Sequence, residues 1–265
     1  MTAGISLEKF APLLRDCVIG RKTKVYETVP STNSLLVSFA SRGAPHGLAV
    51  VADAQTEGKG RMGRSWFSPP GLNLHVSVLL RCEWPASRLP LFVYMAGVAV
   101  ADVLRDAAAI KPFLKWPNDV HYEGRKLCGI LCESIPGPSG SDVVMGIGLN
   151  VNAEETDFAP ELRHQAASLK TVTGKTWDRT GLLASLYLAL DRLYTAFRND
   201  PASVLSAWKQ YAAIPRVRYT IHAGDERLEG RAVDIAEDGA LILEEARGVM
   251  RKIYSGDVAG YSIDQ

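Results

Sequence analysis

The sequence predicts an α+β (α/β-type) fold, a mixed sheet flanked by helices, followed by a small β-barrel. Three observations predict it. Between residues 72 and 80, Leu72, Leu74, Val76, Val78 and Leu80 alternate with Asn73, His75, Ser77 and Leu79, the period of a strand. Residues 89–109 form a long, largely apolar stretch of helical character that must pack on a sheet. After Pro215 the chain changes to short strands divided by the turn pairs Gly224-Asp225, Asp238-Gly239 and Gly256-Asp257, the pattern of a small barrel. At 265 residues and 47% hydrophobic, the chain can bury a large core with a smaller companion, expected as domains 1–214 and 215–265.

The elements follow in order. A short helix is expected over 7–17 and a strand over 24–28. Pro30 opens a helix that runs to Arg42, with Ser31 or Thr32 as its N-cap and Gly43 as its stop. Residues 48–54 read as a buried strand and 55–65 as a glycine-rich loop without hydrophobic period. Beyond the long helix come a strand over 113–116, a loop at 117–119, and a hairpin turning at Glu123-Gly124 into a return strand over 127–133. The stretch IPGPSGSD (135–142) has the composition of a surface loop. A strand over 143–150 and helices over about 180–198 and 201–211 complete the main domain.

Several function classes are disfavoured at once. Thirty Lys and Arg against 29 Asp and Glu give a net charge of +1, which argues against bulk attachment to nucleic acid or an acidic membrane. No apolar run approaches the ~20 residues of a membrane span. The start MTAGISLEKF lacks the basic and apolar regions of a secretory signal, so a soluble, cytoplasmic chain is expected. Cys128 and Cys132 share a strand face but have no CxxC or histidine company, and read as apolar filler rather than a metal site. His46, His75, His121, His164 and His222 fall in no common motif and read as structural or exposed. No serine–histidine–acid set is present.

Four segments carry chemistry. QTEGKGRMGR (55–64) holds Gly58-x-Gly60-x-x-Gly63, but a strand rather than a helix follows, and a Walker lysine is missing. What remains is Lys59, Arg61 and Arg64 against Glu57 on a backbone able to approach an anion closely. Read alone, it is equally a solvated loop. KWPND (115–119) presents a cation and two polar groups at a strand end, where sheets place ligands, although an Asx turn accounts for it too. In RKLCGIL, Lys126 enters a strand whose interior is buried, costly for a cation unless it holds an anion or reaches back to solvent. GIGLNVN (146–152) ends a strand in polar residues, its glycines permitting close backbone approach.

In this order, STN, the QTxGKGRxGRxWxSPxGxN segment, KWPND, KLxGIL and GIGxNVN resemble the biotin protein ligase family, from about Ser31 to Asn152. The resemblance implies an SH3-like identity for the C-terminal β domain. It also implies a two-step reaction: biotin and ATP give biotinyl-5′-AMP and pyrophosphate, then a lysine of a biotin carboxyl carrier protein takes the biotin and AMP leaves. Carried over, Ser31, Thr32, Asn33 and Gln55 match the biotin contacts, and Lys59, Gly60 and Arg61 match the loop over biotin and adenylate. Lys126 matches the lysine between carboxylate and phosphate. Arg64, Trp66, Lys115, Asn118, Asp119 and Asn150 fall on the nucleotide side. Lys126, Arg61 and Asp119 are the candidate catalytic groups, Asp119 as local base for transfer. Mg²⁺ is implied with ATP; Asn118 and Asp119 fall on its side as candidate supports, and no residue is assigned as its direct ligand. The family often has arginine where Lys59 stands, a change that keeps the charge and loses bidentate geometry.

The ~30 residues before Ser31 are too few for the winged helix-turn-helix of repressor members, so a monofunctional ligase without nucleic-acid or membrane partners is expected, with a homodimer allowed. A lipoate or octanoyl ligase of the same superfamily, a DNA-binding regulator and a silent biotin-binding module are the alternatives; the near-complete loop pattern, the neutral charge and the retained Lys126 and Arg61 stand against them in turn.

Overall fold

The alternating segment becomes the middle of a seven-stranded sheet. The computed structural model describes residues 4–82, 88–137 and 140–264. Its main sheet comprises β1 (Thr23–Val29), β2 (Ala49–Gln55), β3 (Leu74–Leu80), β4 (Phe113–Lys115), β5 (Asp119–Tyr122), β6 (Arg125–Gly137) and β7 (Gly140–Leu149). The spatial order is β1-β2-β3-β7-β6-β5-β4; β1 and β2 run parallel and every other pairing is antiparallel. Among the described residues six α-helices accompany the sheet: α1 (Leu7–Phe10), α2 (Thr32–Ala40), α3 (Leu89–Ala108), α4 (Leu169–Thr173), α5 (Arg179–Asn199) and α6 (Pro201–Tyr211).

β3 shows why the sheet has two unlike faces. Leu74, Val76, Val78 and Leu80 join the main core with residues of α3, α5 and α6. On the opposite face, Leu79 packs with Leu36, Ala40, Val50 and Val144 beneath α2, while His75 and Ser77 are polar yet buried. A strand buried on both sides with polar residues on one of them marks a site rather than a second core.

Two expected elements come out differently. The helix over 7–17 is a single α turn followed by a 3₁₀ turn at Ala11–Leu14, because Pro12 cannot continue the α hydrogen-bond ladder. The expected loop over 135–142 is instead the end of a long hairpin, with Ile135 opposite Asp142, Pro136 opposite Ser141 and Gly137 opposite Gly140; residues 138 and 139 lie outside the described residues. Its composition promised solvent, but Arg81 from the end of β3 pairs with Asp142 and holds it buried.

The C-terminal strands β8 (Val217–Ala223), β9 (Glu226–Ile235), β10 (Leu241–Glu244), β11 (Met250–Ile253) and β12 (Asp257–Ile263) form an antiparallel SH3-like sheet in the order β11-β10-β9-β8-β12. Its core is continuous with the main one through Tyr219, Ile221 and Leu241. Buried hydrogen bonds fix the contact: Tyr94 Oη donates to the Gly239 carbonyl (2.6 Å), Trp116 Nε1 to Tyr94 Oη (3.1 Å) and the Trp116 amide to Tyr219 Oη (3.3 Å). This seats β12 at the open end of the main sheet. Among the described residues no helix is long and apolar enough to cross a membrane.

Candidate active site

The polar face of the sheet is the floor of a cavity of about 940 Å³, and every site residue singled out in the sequence lines it. Residues paired across strands share a face, so the register lays out the floor in rows. One row runs Ser77, Gly146, Leu131; the next runs His75, Gly148, Gly129, Asp119, Lys115. The glycines are required by what lies over them. A Cβ on Gly146 would stand 2.2 Å from Asn33 Oδ1, one on Gly148 2.4 Å from Trp66 Nε1, and one on Gly129 2.9 Å from the same indole.

At one end the N-terminus of α2 builds a rigid polar cluster. Ser31 caps the helix by accepting from the Ser34 amide. Gln55 Oε1 accepts from the Thr32 amide (2.8 Å) and hydroxyl (3.1 Å). Asn33 Nδ2 donates to Glu133 Oε2 (2.7 Å), and Ser77 Oγ lies 2.5 Å from Asn33 Oδ1 and 2.8 Å from Thr32 Oγ1. Locked donors and acceptors of this kind suit a small planar polar head group.

At the other end stands Lys126, and the backbone explains its orientation. Cys128 and Ile130 point into the core, so regular alternation would send Lys126 there too. The register slips by one residue: Val120 faces Cys128, but His121 faces Lys126, leaving Leu127 as a bulge. Leu127 and Cys128 both enter the core, and Lys126 turns to the cavity, where Nζ meets Asp119 Oδ1 at 2.7 Å. Burial works to raise the Asp119 carboxyl, but the Lys126 ammonium against it outweighs burial and holds it down to about 2.

The cationic loop is held across this end. Arg61 donates to Asn118 Oδ1 (3.2 Å) and to Ser255 Oγ (3.4 Å), and Arg64 pairs with Asp257, so the C-terminal sheet grips it. Lys115 Nζ donates to the Val258 carbonyl at 3.2 Å; burial pushes its ammonium pKa down. Trp66 Nε1 and Asn150 Oδ1 are buried without hydrogen-bond partners on the same floor, polar atoms prepared for something planar and polar.

Sequence reasoning missed Ser77, His75, His121 and the residues of β12. The signal for the first two was present: polar residues on the second face of a fully buried strand. His75 has both ring nitrogens unpartnered, and burial holds its imidazole down to about 4. Its pKa is depressed on folding, so its contribution to stability is complete above the unfolded value near 6.5 and is lost as pH falls towards 4. We expect His75→Phe to remove about 3 kcal/mol of the acid destabilisation across that window. Denaturant titrations of both proteins at pH 7 and pH 4 check this; equal losses would show that His75 does not set the acid limit.

Comparison with known proteins adds to this geometry. The model of the Biotin/lipoate A/B protein ligase family matches residues 25–150, and that of the Biotin protein ligase C terminal domain matches 216–259. The Bifunctional ligase/repressor BirA of Bacillus subtilis is 34% identical over 249 residues, covering 92% of this chain and 76% of that one. The Biotin--[acetyl-CoA-carboxylase] ligase of Mycobacterium tuberculosis is 32% identical over 257 residues, covering 92% and 93%. A biotin protein ligase from Aquifex aeolicus, solved with biotin and ATP, superposes with a TM-score of 0.75 at 28% identity over 92% of this chain and 100% of that one.

Proposed function

The chain belongs to the biotin protein ligase family, and on that premise we propose how its own residues carry out ATP-dependent biotinylation. The ligase joins the biotin carboxylate to the α-phosphate of ATP, releasing pyrophosphate, and then passes biotin from biotinyl-5′-AMP to a lysine of a biotin carboxyl carrier protein. The polar cluster of Ser31, Thr32, Asn33 and Gln55 takes the ureido ring. That directs the valeryl chain over the glycine floor and brings the carboxylate to Lys126, with Lys59, Gly60 and Arg61 closing above it. The nucleotide lies towards Trp66, Asn150, Asn118 and Lys115, where the unpartnered indole and amide atoms await it, and Arg64 exchanges Asp257 for phosphate. The observation that carries this reading is the bulge at Leu127, which turns one cation out of the core and into the cavity at the end where the cationic loop is held.

Carboxylate and phosphate are both anionic, so the first step needs fixed positive charge between them. Mg²⁺ accompanying ATP would supply further positive charge against the departing pyrophosphate, beside Asn118 and Asp119 on the nucleotide side. For transfer, Asp119 is the group nearest Lys126 able to receive the proton of the acceptor amine. Residues 1–214 are read as the catalytic unit and 215–265 as its companion, in a cytoplasmic enzyme without nucleic-acid partners.

Incubating the protein with biotin, ATP and Mg²⁺ should yield biotinyl-5′-AMP by mass spectrometry and stoichiometric pyrophosphate, and excess chelator should abolish both. Equal turnover with lipoate in place of biotin would overturn the substrate, and full activity in chelator would overturn the metal requirement.

A further inference from the structure

His121 is used by nothing described so far. It lies on β5 at the cavity end of the floor, 6% exposed. Its Nδ1 is 3.2 Å from the Gly124 carbonyl, which can only accept, so Nδ1 carries the hydrogen. Nε2 is thereby left with a free lone pair. It has no hydrogen-bond partner and points towards Asp119, 3.9 Å from Oδ2, while the other carboxylate oxygen holds Lys126. The ring is braced edge-on by Tyr261 of β12 at 6.0 Å between centroids. Asp119 and Tyr261 lie against it, Lys126 is its register partner on β6, and Lys115 and Glu123 line the same cavity.

We propose that His121 is a positioning residue for the transfer half-reaction: it takes up, through Asp119, the proton that the acceptor amine gives up. The inference rests on the ligase reading. The acceptor nitrogen forms its bond to the biotin carbonyl carbon, the bond from that carbon to the phosphate oxygen breaks, and its electron pair leaves with AMP. The proton lost by nitrogen passes to Asp119 and on to His121 Nε2, which closes on Oδ2 as the imidazolium forms. Asp119 alone, held down to about 2, cannot retain that proton near neutral pH. The unpartnered Nε2 beside Oδ2 is the base placed to take it on.

Kinetics distinguish this from a structural role. With His121 as acceptor, a docked lysine can arrive as its ammonium: one proton passes through Asp119 to His121 before attack, the second leaves to solvent once the new C–N bond has formed, and transfer depends only weakly on pH. Without it, transfer follows the neutral fraction of an amine with a pKa near 10.4 and climbs about tenfold per pH unit. The test loads enzyme with purified biotinyl-5′-AMP, adds biotin carboxyl carrier protein, and follows single-turnover transfer from pH 5.5 to 9. Wild type is compared with His121→Phe, which keeps the ring against Tyr261, and His121→Gln, which keeps a polar contact to Asp119. Both variants should form adenylate from biotin and ATP, and transfer on the order of 10- to 100-fold more slowly at pH 7. The gap should close towards pH 9. Transfer profiles that match the wild type or run parallel to it would overturn the role. Failure of the wild type itself to make biotinyl-5′-AMP would overturn the ligase reading instead.

Discussion

Lys126→Ala should slow formation of biotinyl-5′-AMP by on the order of a hundredfold or more, with a much smaller effect on biotin affinity. The asymmetry follows from the layout of the cavity. On the proposed reading the α2 cluster takes the ureido end, and its hydrogen bonds are complete without Lys126. On the same reading the ammonium acts only where carboxylate and phosphate approach, and repulsion between them is greatest as the new bond forms. A hundredfold loss is about 2.7 kcal/mol of transition-state stabilisation, ordinary for removing one fixed charge from a sheltered site. The wild-type cation is already in place, 2.7 Å from Asp119 with its side chain 32% exposed, so little reorganisation precedes the reaction. The variant also leaves the Asp119 carboxylate without its neighbouring ammonium, so its pKa should rise from about 2. Single-turnover pyrophosphate release alongside calorimetric biotin binding reads the two effects separately. Release near the wild-type rate would remove Lys126 from the chemistry, and a parallel collapse of biotin affinity would make it a binding residue instead.

How legible was this site in the sequence? The strands were, wherever one face is apolar: β3 announces itself by alternation, and α3 and α5 by length and apolar spacing. The motif residues were legible as a set, through joint resemblance rather than through any single segment. The orientation of Lys126 was not. Period-2 reading sends it into the core, and only the bulge at Leu127, set by pairing with β5, reverses it. The hairpin at 135–142 was hidden because glycine, proline and serine signal a loop, while the burial of Asp142 depends on Arg81, remote in the chain. Likewise Arg64–Asp257 and Arg61–Ser255 join residues almost two hundred positions apart, and pairs of that kind leave no local signature. The polar face of β3 was readable in principle, since His75 and Ser77 occupy alternate positions of a central strand and Asn73 continues the spacing just ahead of it. Treating each histidine singly obscured it.

The cross-chain grip on the loop leads to the second large effect. Arg61→Gly should leave biotinyl-5′-AMP forming but escaping, with indiscriminate labelling of bystander lysines. A mixed anhydride reacts with water and with any neutral amine, so the enzyme must hold it until the carrier docks. Arg61 is the residue that ties the loop to both walls, through Asn118 of the β4–β5 corner and Ser255 ahead of β12. Arg64 makes a second tie through Asp257, but as an exposed pair it is worth little alone. Glycine at 61 removes both Arg61 contacts and adds backbone freedom beside Gly60 and Gly63, raising the entropy lost on closure. Lys126 and the α2 cluster are untouched, so the first step persists. Released adenylate then meets surface lysines, of which about one in a few thousand is neutral at pH 7, slow for one residue but cumulative over a whole protein. Incubating the variant with biotin, ATP and an unrelated lysine-rich protein should label it at least tenfold above wild type, in proportion to faster adenylate dissociation. If adenylation stays intact and the bystander remains unlabelled, the loop is held closed by something other than Arg61.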